Sequence, residues 1–400
     1  MKGGALTTLA DVCKSVRYGY TASASLEACG PRFLRITDIV PDSVDWDSVP
    51  YCEIDDSDRE RFALGVGDIV VARTGATVGY AKLIREPVDA IFASYLVRFR
   101  VDSGKADPVF VGRLVESHIY KSFVQSRIGG AAQPSASAPV LGSFEFPLPP
   151  RHAQTRIADI LSAYDDLIEN NRRRMALLEG GARQLYREWF VRLRFPGHEH
   201  TRITDGVPEG WERVQIRDIG DVVTGKTPST KATDNYGEEI PFIKAPDMHG
   251  NVYVTKTESH LSQKGAETQK GKYIPADSLL VSCIGTVGIV ALSSTRSQFN
   301  QQINAVIPFD EHCRYYCFFA FKDLRQRMEA IGGGVTMDNV NKSKFENLEV
   351  IRPTLRLLRD FDETCAPMFR LILTLSLQNE KLRAARDLLL PRLMSGEIAV

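Results

Sequence analysis

The stretch GDIVVARTGATVG at residues 67–79 returns as ADSLLVSCIGTVG at residues 276–288, and that return decides how the chain folds. Laid over one another without a gap, the two stretches place Asp68 over Asp277, and both close on Thr-Val-Gly. Working outward, Leu9-x-Asp11-Val12 is matched by Ile216-x-Asp218-Ile219, and FLRITDI at 33–39 by FIKAPDM at 242–248. Ile128-Gly129-Gly130 is matched by Ile331-Gly332-Gly333, and each copy runs through Phe144 or Phe345 to Pro150 or Pro353. The blocks keep one order, so the chain is one unit written twice with a period of about 200 residues.

Each copy opens with a domain of about 150 residues, a common size for one hydrophobic core. Asp68–Ala72 and Ser278–Ser282 are short β-rich runs bounded by glycine, as strands ending in tight turns are. The repeated Thr-Val-Gly sits where a turn needs a residue tolerant of positive φ. Helical periodicity is local, over Phe110–Phe123 and Tyr315–Ile331. The expected fold class is α+β: mixed α/β domains with curved sheets at 1–150 and 198–352, and helical regions at 151–197 and 353–400.

Those helical regions carry seams. Ile157, Tyr164, Asn171, Leu178 and Leu185 recur every seven residues, flanked by Ile160, Leu161, Leu167, Ile168, Met175, Ala182 and Trp189. In the second region Leu358, Phe361, Cys365, Met368, Ile372, Leu375, Asn379, Leu382, Leu389 and Leu393 follow spacings of three, four or their sum. These spacings predict an antiparallel coiled coil, with Asn171 and Asn379 as polar seam residues that fix register at some cost in stability. Pro367 is expected to kink the second helix or mark its start. Gly180-Gly181 weakens the first by roughly 1 kcal/mol per glycine. Rods of about 45–60 Å follow from about 1.5 Å per residue.

The composition, 43% apolar and 25% charged, is that of an ordinary globular protein. The Met1-Lys2-Gly3-Gly4 start lacks the layout of a secretion signal, and there is no long apolar run. A cytoplasmic protein with no membrane partner is expected. The seven cysteines form no CxxC pair; Cys313, Cys317 and His312 lack a second ligand pair, and structural thiols are the preferred reading over a metal site. Net charge is zero, so DNA binding could not rest on bulk charge and would use local basic loops or a partner's phosphate contacts.

Gly220-x-x-x-x-Gly225-Lys226-Thr227 satisfies the phosphate-loop pattern. A nucleotide site also needs a helix directly after the loop, whereas PSTKATDN at 228–235 is polar and aperiodic. The sister copy has YGYTAS at 18–23 there, without a lysine. A surface loop is expected. A methyltransferase would need an Asn/Asp-Pro-Pro-aromatic loop for a flipped adenine, and Pro149-Pro150 instead lies at a domain-to-helix junction. The histidines fit no catalytic triad. No catalytic residue and no bound cofactor are assigned.

What remains are polar loops at matching places. In the first copy they carry Tyr20, Ser23, Arg73, Thr74, Gln133, Ser135 and Ser137; in the second, Lys226, Thr227, Ser229, Ser282, Asn300, Gln301, Thr336, Asn339, Asn341 and Lys342. Arginine, lysine, asparagine and glutamine can contact guanine and adenine edges with two hydrogen bonds. Loops that differ on a repeated scaffold suit two readers of different half-sites. A coiled-coil scaffold without a DNA role and a phosphate-loop enzyme are the competing readings.

The chain resembles the DNA specificity subunits of type I restriction-modification systems. The resemblance is carried by the GKTPS loop at 225–229, the PFI and DM block at 241–248, the GDIV…G turn at 67–79, Pro149-Pro150 with Gln154 and Ile157, and the closing Leu389–Ile398 segment with Ser395-Gly396-Glu397. It implies two target-recognition domains, each reading half of a split site on double-stranded DNA, and paired helices that set the spacer. Those helices would dock two methyltransferase subunits that supply S-adenosylmethionine chemistry on adenine, with a motor-nuclease subunit joining for cleavage. Ala153 stands where the family shows glutamate before the glutamine, and the second helix lacks that Glu-Gln pair, which bears on partner docking.

Overall fold

The computed structural model describes residues 5–41, 43–128, 134–333, 339–395 and 397–398. It divides into two compact units, one of residues 1–167 with 382–400, the other of residues 168–381.

In the first unit Cys13–Tyr18, Leu96–Val101, Asp68–Ala72 and Ala81–Leu83 lie side by side in that order, all antiparallel. Every residue of Asp68–Ala72 is buried, which explains its unbroken apolar run: both faces of this central strand are covered. Ile69, Val71, Val97 and Phe99 face the helices Pro108–Glu116 and His118–Arg127, together with Ile157, Leu161, Leu390 and Leu393. Val70, Ala72 and Leu96 face Phe33, Leu34, Phe62 and Phe92. Asp107 caps the first of these helices by accepting from the Val109 and Phe110 amides, and Pro108 occupies the first turn, where no amide is needed.

The second unit repeats the plan. Gly220–Thr224, Ile303–Pro308, Leu279–Ser282 and Val290–Ser293 form the matching antiparallel order, extended by Tyr253–Val254 in parallel. Leu279, Val281, Leu292 and Val306 face the phenylalanines of helix Arg314–Asp323, while Leu280, Ala291, Ile303 and Ala305 face Ile243, Met248 and Phe299. An antiparallel strand pair joins the ends of each domain: Ala5–Thr8 with Glu145–Leu148, and Glu212–Gln215 with Glu349–Arg352. The copies are thus mixed α/β domains of one topology, as the duplication predicts.

The long helices are Arg151–Tyr186 and Leu355–Ser395, and each unit holds a segment of both. Within the second unit Asn171 donates from Nδ2 to Asn379 Oδ1 at 2.9 Å, Asn379 donates to the Ile168 carbonyl at 3.3 Å, and Ser376 lies 3.1 Å from the Met175 sulfur. The rising numbers on one helix meet falling numbers on the other, so the segments run antiparallel, and the two seam asparagines are joined by a hydrogen bond. Ile157, Ile372 and Leu375 are buried as well; Tyr164, Leu178, Leu185, Leu382 and Leu389 are half-buried.

Two expectations are corrected. Pro367 does not start the second helix, which begins at Leu355 and stays helical through it. Pro367 lies on the exposed face, while Phe361, Cys365, Ala366, Phe369 and Ile372 on the other face are buried in the core. That burial, at roughly 1.5–3 kcal/mol per large side chain, offsets a proline cost of about 3 kcal/mol. Leu167 is 52% exposed rather than in the seam, whereas Ile168 beside it is buried as expected, and so is Asp165. Its carboxylate pairs with Arg113 from the domain and, at 2.6 Å, with Arg386 from the second helix.

Candidate nucleic-acid interface

The loops singled out in the sequence converge at one end of each sheet, held by main-chain bonds. In the first unit Gly19 N donates to Leu96 O at 3.1 Å, Tyr20 N to Phe92 O at 2.8 Å, Arg73 N to Tyr95 O at 3.0 Å and Ala136 N to Arg73 O at 2.8 Å. In the second, Gly225 N donates to Ile303 O at 3.1 Å, Lys226 N to Phe299 O at 3.0 Å, Cys283 N to Gln302 O at 2.7 Å and Val340 N to Cys283 O at 2.9 Å. Thr74 bridges Ser135, and Ile284 bridges Asn339. The frame is the same, so Tyr20 corresponds to Lys226, Arg73 to Cys283, Tyr95 to Gln302 and Ser135 to Asn339.

This frame corrects the ungapped alignment. Gly67 N donates to Ile84 O and Asp277 N to Ser293 O, both at 2.9 Å, and these two residues share positive φ, 88° and 62°. Asp68 therefore corresponds to Ser278, not to Asp277, and the turn of the first copy is one residue longer between its glycines at 75 and 79 than the second between 285 and 288. All four of these glycines have positive φ, as expected of the turns. Asp68 is a buried structural carboxylate that grips Arg100 at 2.6 and 2.7 Å.

The phosphate-loop match dissolves for a steric reason. Gly220–Thr224 is a strand and is followed by loop rather than helix. A Cβ on Gly225 would lie 2.0 Å from the Asn300 carbonyl oxygen, and one on Gly220 would lie 2.3 Å from that of Ile307. Gly19 in the sister copy meets the Ala93 oxygen at 2.2 Å in the same way. These glycines let one backbone pass close to another.

Among the remaining candidates, Ser23, Ser135, Ser137, Lys226, Ser229, Gln301, Asn339 and Lys342 are exposed. Tyr20, Thr74 and Thr227 are half-buried, Tyr20 against the Phe62 ring at 5.3 Å and Thr227 with its hydroxyl on the Gln301 side chain. Asn300 is 8% exposed and orients Gln302, donating to its Oε1 at 2.8 Å and accepting from its amide at 3.2 Å. Ser282 is fully buried and bonds Thr286 O and Ile289 N inside its own turn, so it offers nothing to a ligand. Asn341 caps helix Lys342–Glu346 through the Lys344 amide. Gln133 and Thr336 lie outside the described residues.

Three further side chains, which the sequence placed in these loops without singling them out, lie on the same frame: Tyr18, 41% exposed; Tyr95, 59% exposed; and Gln302, half-buried. Exposed aromatics at strand ends are a signal that becomes readable only once strand ends are placed. Gln154, which the resemblance brought forward, is buried at the junction, accepting from Asp107 N and donating to Pro149 O, both at 2.7 Å. Among the described residues no His, Cys, Asp and Glu group is placed to hold a metal, and no helix is long and apolar enough to cross a membrane.

The model of the type I restriction modification DNA specificity domain matches residues 7–179 and 208–356. The type I restriction enzyme HindI specificity subunit of Haemophilus influenzae is 30% identical over 424 residues, covering 87% of this chain and 91% of that protein. The MjaIX specificity subunit of Methanocaldococcus jannaschii is 24% identical over 347 residues, covering 84% and 76%. In fold, the chain resembles the crystal structure of a type I restriction-modification S subunit from M. genitalium, with a TM-score of 0.55 at 12% identity over 98% of this chain and 96% of that one.

Proposed function

The chain belongs to the type I restriction-modification DNA specificity family, and from that premise we propose that its two strand-end loop clusters each read one half of a split site on double-stranded DNA. The observation that carries this reading is the shared main-chain frame with different side chains on it: tyrosine, arginine and serine in one unit, lysine, glutamine and asparagine in the other. A repeated scaffold with altered contact residues is what reading two different sequences requires.

The long helices act as the spacer ruler and as the dock for two methyltransferase subunits, which bind S-adenosylmethionine and modify adenine. A motor-nuclease subunit carries out cleavage. At 36 and 41 residues the helices are about 54 and 61 Å long, longer than the roughly 34 Å of one DNA turn. This chain contributes recognition rather than chemistry, and it works in the cytoplasm. With neutral overall charge, phosphate contacts come in part from the partners.

The test is to mix the purified chain with its cognate methyltransferase and map methylated adenines on genomic DNA. A stable complex that methylates one two-part sequence is expected. A chain that never associates with the methyltransferase, or an assembled complex leaving no footprint on DNA, would sink the reading.

A further inference from the structure

We propose that Arg73 reads a guanine in the half-site of the first unit, with the Tyr18 ring as the platform beneath its guanidinium. The inference rests on the proposed function and names the base and the reader. Both main-chain groups of Arg73 are engaged, N to Tyr95 O at 3.0 Å and O from Ala136 N at 2.8 Å, so the residue is fixed on either side. Its guanidinium carbon stands 4.8 Å from the centroid of the Tyr18 ring, itself held by the Ala138 amide at 2.9 Å from the tyrosine oxygen. Arg73 Nε is buried without a hydrogen-bond partner among the described residues, so the root of the fork is turned inward. The two Nη groups are the donors left for a ligand, beside the Tyr18 ring.

A guanidinium held over an aromatic ring, its root turned inward, suits the two acceptors on the guanine edge, whereas a phosphate contact needs no such orientation. The second unit has no counterpart. Cys283 fills the position, 2% exposed, with its sulfur 3.2 Å from Asn304 Nδ2. A guanine requirement from this position therefore falls in one half-site alone.

The experiment uses the complete complex with its methyltransferase subunits, carrying wild-type chain, R73A, R73K or Y18L, and maps methylated adenines together with the salt dependence of DNA binding. The wild type should show an invariant guanine in one half. R73A and R73K should each relax that position by roughly 10- to 100-fold, leaving the other half and the spacer unchanged. Y18L should relax it less. R73K preserves length and charge, and so decides the matter if R73A fails to assemble. An unchanged map, or a uniform loss at all sites with a shallower salt slope, overturns the proposal, the latter because it marks a phosphate contact. A wild type with a split site but no invariant guanine overturns this inference alone; a wild type with no split site overturns the functional reading as well.

Discussion

Gly180 and Gly181 stand side by side in the first long helix, and a Cβ added to either meets nothing within 4 Å. Replacing each with alanine should raise the unfolding free energy by about 1 kcal/mol, chiefly by restricting the unfolded chain; urea denaturation measures this, and no gain would mean the helix end is frayed. The thiols divide just as cleanly. Burial pushes Cys13, Cys283 and Cys365 up to about 12 and Cys52 to about 11, while Cys29 is exposed. Alkylation of the native protein at neutral pH should label Cys29 and spare these four, as mass spectrometry of the peptides would show. Their pKa values are raised above the ordinary 9.0, so the stability these thiols contribute is complete below pH 9 and fades as pH climbs toward 11 and 12. Glycine has a different meaning at Gly225, where it is required by a carbonyl 2.0 Å from any Cβ.

At the level of elements, the first domain is attached to the helices by apolar packing around Ile157, Leu161, Leu390 and Leu393 and by one buried carboxylate. Asp165 is 7% exposed and meets Arg113, 6% exposed, as well as Arg386 at 2.6 Å and Arg85 at 3.6 Å. Removing it leaves the buried Arg113 to share Glu116 with Arg85, and Arg386 with only the exposed Asp387 among the described residues. Asp165→Ala should cost about 3–5 kcal/mol, whereas replacing the cluster with apolar residues of similar volume should cost far less; chemical denaturation of both variants tests the contrast, and equal losses would contradict it. Sequence periodicity could not find this residue, because a seam reading rewards apolar positions and Asp165 is buried by pairing. It did find Asn171 and Asn379, since a lone asparagine in an apolar stripe is conspicuous.

On the scale of the whole molecule, the ruler idea makes a numerical prediction. Deleting one heptad from each long helix keeps the seams in phase and shortens each rod by about 10 Å, close to three base pairs. The methylated site should keep both half-sequences and lose about that many spacer base pairs. An unchanged spacer in the methylation map would remove the helices from any role in spacing.

The sequence alone determined the duplication, the mixed α/β class, the two long helices and their polar seam residues, because each leaves a periodic or repeated mark that needs no knowledge of distant contacts. It also exposed the phosphate-loop match as suspect through the lysine-free sister copy. Tertiary structure decided the rest. That Asp68 pairs with Ser278 rather than with Asp277 follows from main-chain bonds to Ile84 and Ser293, because a one-residue difference in a turn shifts every strand position before it. That Ser282 is sealed inside its turn and Arg73 lies over Tyr18 follows from which strand ends meet. Pro367 is tolerated because apolar burial on one helix face outweighs a local defect on the other. Local chemistry proposes such residues, and the free energy of non-local contacts disposes of them.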